Sequence, residues 1–100
     1  MVVQDCQTNE VLMLAYANEK ALAETAKTGY ATFWKTSENR LWTKGEASGD
    51  FLGVKEILTD CDQDALVYKV GRLGDAVCHT KRRSCFYRRL AGGRPEFLEM

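Results

Sequence analysis

Only one short stretch of this chain repeats its small and apolar residues at helical spacing, and that limits the folds open to it. Between Asn18 and Gly29, the residues Ala21, Leu22, Thr25 and Ala26 fall on one face. Asn18 suits an N-cap, and Gly29 suits a left-handed stop. The other apolar residues come in runs of strand length: 11–16, 30–35, 41–43, 51–58, 65–70 and 85–89. The clearest alternation puts Leu66, Tyr68 and Val70 on one side. Polar turns, those at 44–50 and 71–75 bearing glycine, separate these runs at 36–40, 44–50, 60–64 and 71–75. The expected fold is a strand-dominated α+β domain, with short, mostly antiparallel strands and one helix in the N-terminal half. With 100 residues in total, 1–90 form this single domain and 91–100 (AGGRPEFLEM) a flexible C-terminal tail. A domain of this size buries only around two-thirds of its unfolded surface, so a core shared in a homodimer or a bound metal would help stabilise it.

With 45% hydrophobic and 28% charged residues, the chain is neither disordered nor collagen-like. No apolar run approaches the ~20 residues that cross a bilayer, and no signal-peptide pattern opens the chain. A cytoplasmic protein without a membrane partner is expected. Fourteen basic residues balance fourteen acidic ones, but unevenly. Residues 81–94 hold six of the bases and no acid, a local attraction for anions.

Cys6, Cys61, Cys78 and Cys85 would be poor disulfide partners in a reducing compartment. Two clusters read better as metal ligands. In Asp60-Cys61-Asp62-Gln63-Asp64, three carboxylates at alternate positions are hard oxygen donors suited to magnesium or calcium. An EF-hand is excluded, because Ala65 and Gly71 stand where such a loop needs glycine and glutamate. Alternate carboxylates on an extended strand lie ~6.6 Å apart per step, so the segment must curl or take a partly hydrated ion. In Cys78-His79-Thr80-Lys81-Arg82-Arg83-Ser84-Cys85, the thiols are soft donors of the kind zinc prefers. Their spacing is wider than in ordinary zinc fingers. Cysteines packed as small core residues and an acidic turn between strands are the plainer alternatives.

If the backbone is extended at both clusters, neighbouring side chains point opposite ways. His79, the only histidine, is then separated from the ion bound by Cys78 and free to act as a general acid or base. Cys61 likewise turns away from its flanking aspartates, towards a different metal, one that a second subunit could complete. Three thiolates with one open position describe a catalytic zinc, able to activate a water. Lys81, Arg82 and Arg83 could hold a phosphorylated substrate beside it. The nucleobase deaminases are one zinc class with such chemistry, but their H-x-E and P-C-x-x-C elements are missing. Trp34 and Trp42 could be core residues or could stack a base, with the Lys44-to-Gly49 turn (KGEASG) meeting a phosphate.

Taken in order, VVQD, EVLMLAY, FW, LWTKGEASG, DCDQD and CHT…SCFYR resemble phosphoribosyl-AMP cyclohydrolase over residues 2 to 88. The resemblance implies a homodimeric enzyme of histidine biosynthesis that opens the purine ring of N1-(5-phosphoribosyl)-AMP at the N1–C6 bond. It implies zinc on Cys61, Cys78 and Cys85, shared between subunits, and magnesium on Asp60, Asp62 and Asp64. His79 becomes the candidate for proton transfer, and Lys44, Ser48, Arg82 and Arg83 the candidates for the two phosphates. The family commonly has glycine where this chain has Lys81. A left-handed backbone there costs lysine roughly 1–2 kcal/mol, while its charge could meet phosphate. Cys6 has no place in the motifs, and no fused pyrophosphohydrolase domain is expected. Two other functions compete. A zinc-stabilised module could bind single-stranded nucleic acid through residues 81–94, but three aspartates around Cys61 would repel a polyanion. A different zinc hydrolase could act on another phosphorylated cyclic amidine. The expectation is the cyclohydrolase, with no nucleic-acid partner.

Overall fold

The four-residue run Val2–Asp5 (β1) lies in the interior of the main sheet. It pairs antiparallel with Val11–Leu14 (β2) and parallel with Leu66–Arg72 (β6), Val2 standing opposite Val67 and Asp5 opposite Val70. Leu52–Thr59 (β5) closes the other edge, antiparallel to β6, giving the order β2-β1-β6-β5. Thr32–Lys35 (β3) and Arg40–Thr43 (β4) form a separate hairpin. This computed structural model describes residues 1–74 and 76–98. It shows the strand-dominated, mostly antiparallel α+β architecture expected from the sequence, with one helix.

That helix, Glu19–Thr28 (α1), begins and ends where its caps dictate. The Asn18 side chain accepts from the Ala21 amide at 2.9 Å, and Gly29 at φ 79° returns its N–H to the Thr25 carbonyl. Thr25 faces β3, where its hydroxyl takes the Thr32 amide at 3.1 Å and lies 3.3 Å from the Thr32 carbonyl. Both groups are buried, so this exchange satisfies backbone that water cannot reach.

Val3, Leu12, Phe33, Leu52, Tyr68, Val70 and Val77 form the core, each almost wholly removed from solvent. Truncating a residue such as Leu12 to alanine would cost about 2–5 kcal/mol. Tyr68 and Val70 fall on the buried side that the alternation of β6 predicts. Trp34 and Trp42 are half-buried, and Trp42 packs against this core. Among the described residues no helix is long and apolar enough to cross a membrane.

Two strands were not legible in the sequence. VVQD is too short to signal itself, and its place in the sheet comes from the distant β6. At the C-terminal end the expected strand at 85–89 begins later, as Arg88–Ala91 (β7), and pairs with Arg94–Phe97 (β8). The segment 91–97, expected in a tail, thus forms half of a hairpin around Gly92 and Gly93, both at positive φ. Its only proline, Pro95, sits on a strand of a two-stranded ribbon, where a missing N–H is tolerated.

Candidate active site

A cavity of about 360 Å³ joins two segments that are far apart in sequence. One wall comes from the end of β4 and the turn after it, with Trp42, Lys44 and Ser48. The other comes from Cys78, His79 and Lys81. The first turn is shaped by glycine. Gly45 sits at φ 101°, and a Cβ there would stand 2.6 Å from the Phe51 nitrogen. Glu46 reaches back to accept the Thr43 amide at 2.8 Å, and the Lys44 amide donates to Ala31 at 3.1 Å. The turn also lies against Gly74: a Cβ there would fall 2.7 Å from the Asp50 Cα, so only glycine lets these two loops approach. Trp42 is backed by Phe33, with ring centroids 5.0 Å apart.

The second wall is a tight turn. The Lys81 amide donates to the Cys78 carbonyl at 2.9 Å, and the Cys78 amide donates to the Arg82 carbonyl at 3.0 Å. Residue 81 closes this turn in the left-handed region, at φ 68°. Extended backbone was the premise for separating Cys78 from His79, and the turn replaces it. The His79 Nδ1 lies 4.0 Å from the Cys78 sulfur, and the imidazole is exposed at the cavity.

Cys85 is held by β2. Its amide donates to the Leu12 carbonyl at 2.7 Å, and the buried Ser84 hydroxyl reaches the Val11 carbonyl at 2.8 Å while accepting from Phe86. The two thiols interact. Burial opposes ionisation of Cys78, but the Thr80 hydroxyl and amide, Cys85 and the Lys44 charge outweigh it and lower its pKa. Burial, then the Cys78 charge beside it, push Cys85 up to about 11. A lowered and a raised thiol near enough to shift one another, with a lysine close by, form a donor pair that a soft cation would fit.

Cys61 stands apart. It is exposed at the β5–β6 turn, and among the described residues the three sulfurs do not form one cluster. Around it the chain curls, one of the two alternatives that the carboxylate spacing left. Asp60 accepts the Asp64 and Ala65 amides, both at 3.0 Å, and Gln63 adopts φ 61°. Oxygens of Asp60, Asp62 and Asp64 come within 4.8 Å of one another. The Ala65 amide, with further help from Asp62, draws Asp60 down to about 2, whereas Asp60 and Asp62 push Asp64 up. This set of hard oxygens suits a divalent cation that would neutralise the crowding.

Of the phosphate candidates, Lys44 and Ser48 line the cavity and Arg82 and Arg83 do not. The Arg82 guanidinium lies 4.2 Å above the Tyr87 ring and 5.2 Å from that of Phe97, while Arg83 pairs with Glu10. Lys35, Arg40 and Asp50 also line the cavity. Lys35 and Arg40 carry no motif signal, and Asp50 could have been suspected only from its place directly after the Gly45–Gly49 turn.

Comparison with known proteins gives one result throughout. The family model described as phosphoribosyl-AMP cyclohydrolase matches residues 13–87. A protein of that name from Archaeoglobus fulgidus is 56% identical over 92 residues, covering 92% of this chain and 84% of its own length. Namesakes from Desulfotalea psychrophila and Methanospirillum hungatei are 52% and 55% identical over 92 residues, which are 72% and 70% of their lengths.

Proposed function

The chain belongs to the phosphoribosyl-AMP cyclohydrolase family, and we propose that it opens the purine ring of N1-(5-phosphoribosyl)-AMP, a step of histidine biosynthesis, in the cavity between Trp42 and His79. The observation that carries this reading is the meeting of the Lys44–Ser48 turn with the Cys78–Lys81 turn around one space. An aromatic face, cationic side chains and an imidazole all line it.

In the reaction, a water oxygen bonds to C6 and the N1–C6 bond breaks. The single product carries a carboxamide and a phosphoribosyl formimino group on the imidazole ring. Trp42 offers a face for the purine, braced from behind by Phe33. Lys44 and Ser48 meet phosphate oxygens. His79 takes the proton from the attacking water and returns one to N1 as the bond opens. Its exposed ring leaves it room to face substrate.

Cys78 and Cys85 would hold zinc together with Cys61 from a second copy of the chain, and Asp60, Asp62 and Asp64 would hold magnesium. Zinc bound there supplies a Lewis acid that lowers the pKa of water to near ~7. The separation of Cys61 from the other two thiols supports a homodimer, as do the exposed Leu14, Ile57 and Leu58 side chains. No membrane or nucleic-acid partner belongs to this reading, which places the enzyme in the cytoplasm.

The test is a spectrophotometric assay with phosphoribosyl-AMP and magnesium, with and without a strong zinc chelator, on wild type and His79→Ala. Chelator-sensitive turnover, lost in a folded, zinc-loaded His79→Ala, is expected. A zinc-loaded dimer that leaves the purine intact would overturn the activity, and near-normal turnover by the variant would overturn the role of His79.

A further inference from the structure

Lys81 occupies a backbone position that does not favour a side chain. The turn closed by the Lys81 amide on the Cys78 carbonyl, with the Cys78 amide on Arg82, requires a left-handed residue at its end, and lysine is found there at φ 68°. Glycine is the usual occupant of such a position, at the end of a type I turn followed by a one-residue bulge. Strained residues of this kind persist where they do something else. The Lys81 side chain lines the cavity.

The other cations around that space are not equally available. The Lys35 ammonium lies 2.6 Å from a Glu38 carboxylate oxygen that is also 3.4 Å from the Arg40 guanidinium, so one carboxylate engages both. Among the described residues, no carboxylate forms an ion pair with Lys44 or Lys81. Arg82 and Arg83 are engaged elsewhere. The cavity therefore offers two ammonium groups, one on each wall, that pair with no carboxylate among the described residues, to a substrate that carries two phosphate monoesters.

We propose that Lys81 is a substrate-binding residue whose ammonium holds one phosphate monoester of the nucleotide, Lys44 serving the other. This rests on the reading of the cavity as the substrate site. The side chain acts on binding and takes no part in ring opening.

The test compares wild type, Lys81→Met, Lys81→Arg and Lys81→Gly by steady-state kinetics with phosphoribosyl-AMP and by calorimetric binding of AMP and adenosine. Lys81→Met and Lys81→Gly should each raise KM about tenfold, the effect of losing one charge-assisted hydrogen bond, with kcat little changed. Lys81→Arg should restore most of the affinity. If the phosphate held is that of the AMP half, AMP binding should weaken in Lys81→Met while adenosine binding does not; a raised KM with AMP binding unchanged assigns Lys81 to the phosphoribosyl phosphate. Lys81→Gly should also melt at a higher temperature than wild type, separating relief of the backbone from loss of the charge. An unchanged KM and an unchanged AMP-to-adenosine ratio in Lys81→Met would overturn the assignment. A wild type that binds AMP through Lys81 but leaves phosphoribosyl-AMP intact would overturn the proposed activity and leave the role of Lys81 standing.

Discussion

The Thr80 hydroxyl donates to the Cys78 sulfur across 3.0 Å. Because the bond favours the thiolate, it helps to hold Cys78 below an ordinary thiol despite burial, while Cys85 is displaced to about 11. Thr80→Val should raise the Cys78 titration in metal-free protein, read from the ultraviolet absorbance of the thiolate as pH increases. The thiol contributed by Cys85 should still titrate second. A Cys78 curve identical to wild type would show that the hydroxyl does not act on the sulfur.

Trp42 lines the cavity and Trp34 does not. The Trp34 ring instead has the Lys20 ammonium 6.0 Å from its centroid. Trp42→Leu should therefore weaken AMP binding about tenfold or more, the scale of one base–aromatic stack. Trp34→Leu should leave it near wild type. Equal losses in the two variants would point to a general loosening of the β3–β4 hairpin.

The aspartate turn should respond to a divalent cation. Without one, Asp60 is drawn down to about 2 and Asp64 is raised by its neighbours. The depressed Asp60 contributes stability that is present above its unfolded value and is lost as pH falls towards 2. The raised Asp64 opposes folding once it ionises. Magnesium should move the Asp64 carboxyl resonance to titrate at lower pH and should raise the urea midpoint at neutral pH by mass action. A titration that millimolar magnesium does not move would argue against this cation site.

Arg72, at the end of β6, reaches the buried Asp5 carboxylate at 3.1 Å, and Asp5 also accepts the Gln7 and Thr8 amides. Burial raises the Asp5 pKa, but those amides and Arg72 together lower it below its ordinary 3.8. The pair therefore stabilises the fold above the unfolded value of Asp5, and the effect fades as pH falls through the lower, folded one. Arg72→Ala should cost about 2 kcal/mol at neutral pH, with the gap to wild type closing in strong acid. Urea midpoints across pH measure it, and a gap independent of pH would assign the loss to packing.

What the sequence made legible was local. Asn18 and Gly29 mark the ends of α1 because caps act within a few residues, and the alternation at Leu66, Tyr68 and Val70 marks β6 because a pleat does too. The curl of the aspartate turn was one of the two alternatives that carboxylate spacing left for a shared ion, the other being a partly hydrated ion. The fate of Lys81, Arg82 and Arg83 did not. In sequence they form one basic run, yet Lys81 lines the cavity, Arg82 lies over Tyr87 and Phe97, and Arg83 meets Glu10. Tyr87 lies just before β7, Phe97 on β8 and Glu10 just before β2, so only the folded chain tells the three apart. Lys35 and Arg40 were missed for the same reason, since only the folded hairpin brings them to the cavity.

The parallel pairing of β1 with β6 also has a consequence for the order in which the chain assembles. The β1–β2 and β5–β6 ladders each join segments close in sequence and can form early. The bond row between them brings Val2 beside Val67, and the entropy of closing so long a loop costs about 4 kcal/mol before any contact across it is made. Until that seam closes, β1 and β6 each present an unpaired edge. During synthesis on the ribosome, β1 must wait for β6, exposed meanwhile to pairing with another nascent chain.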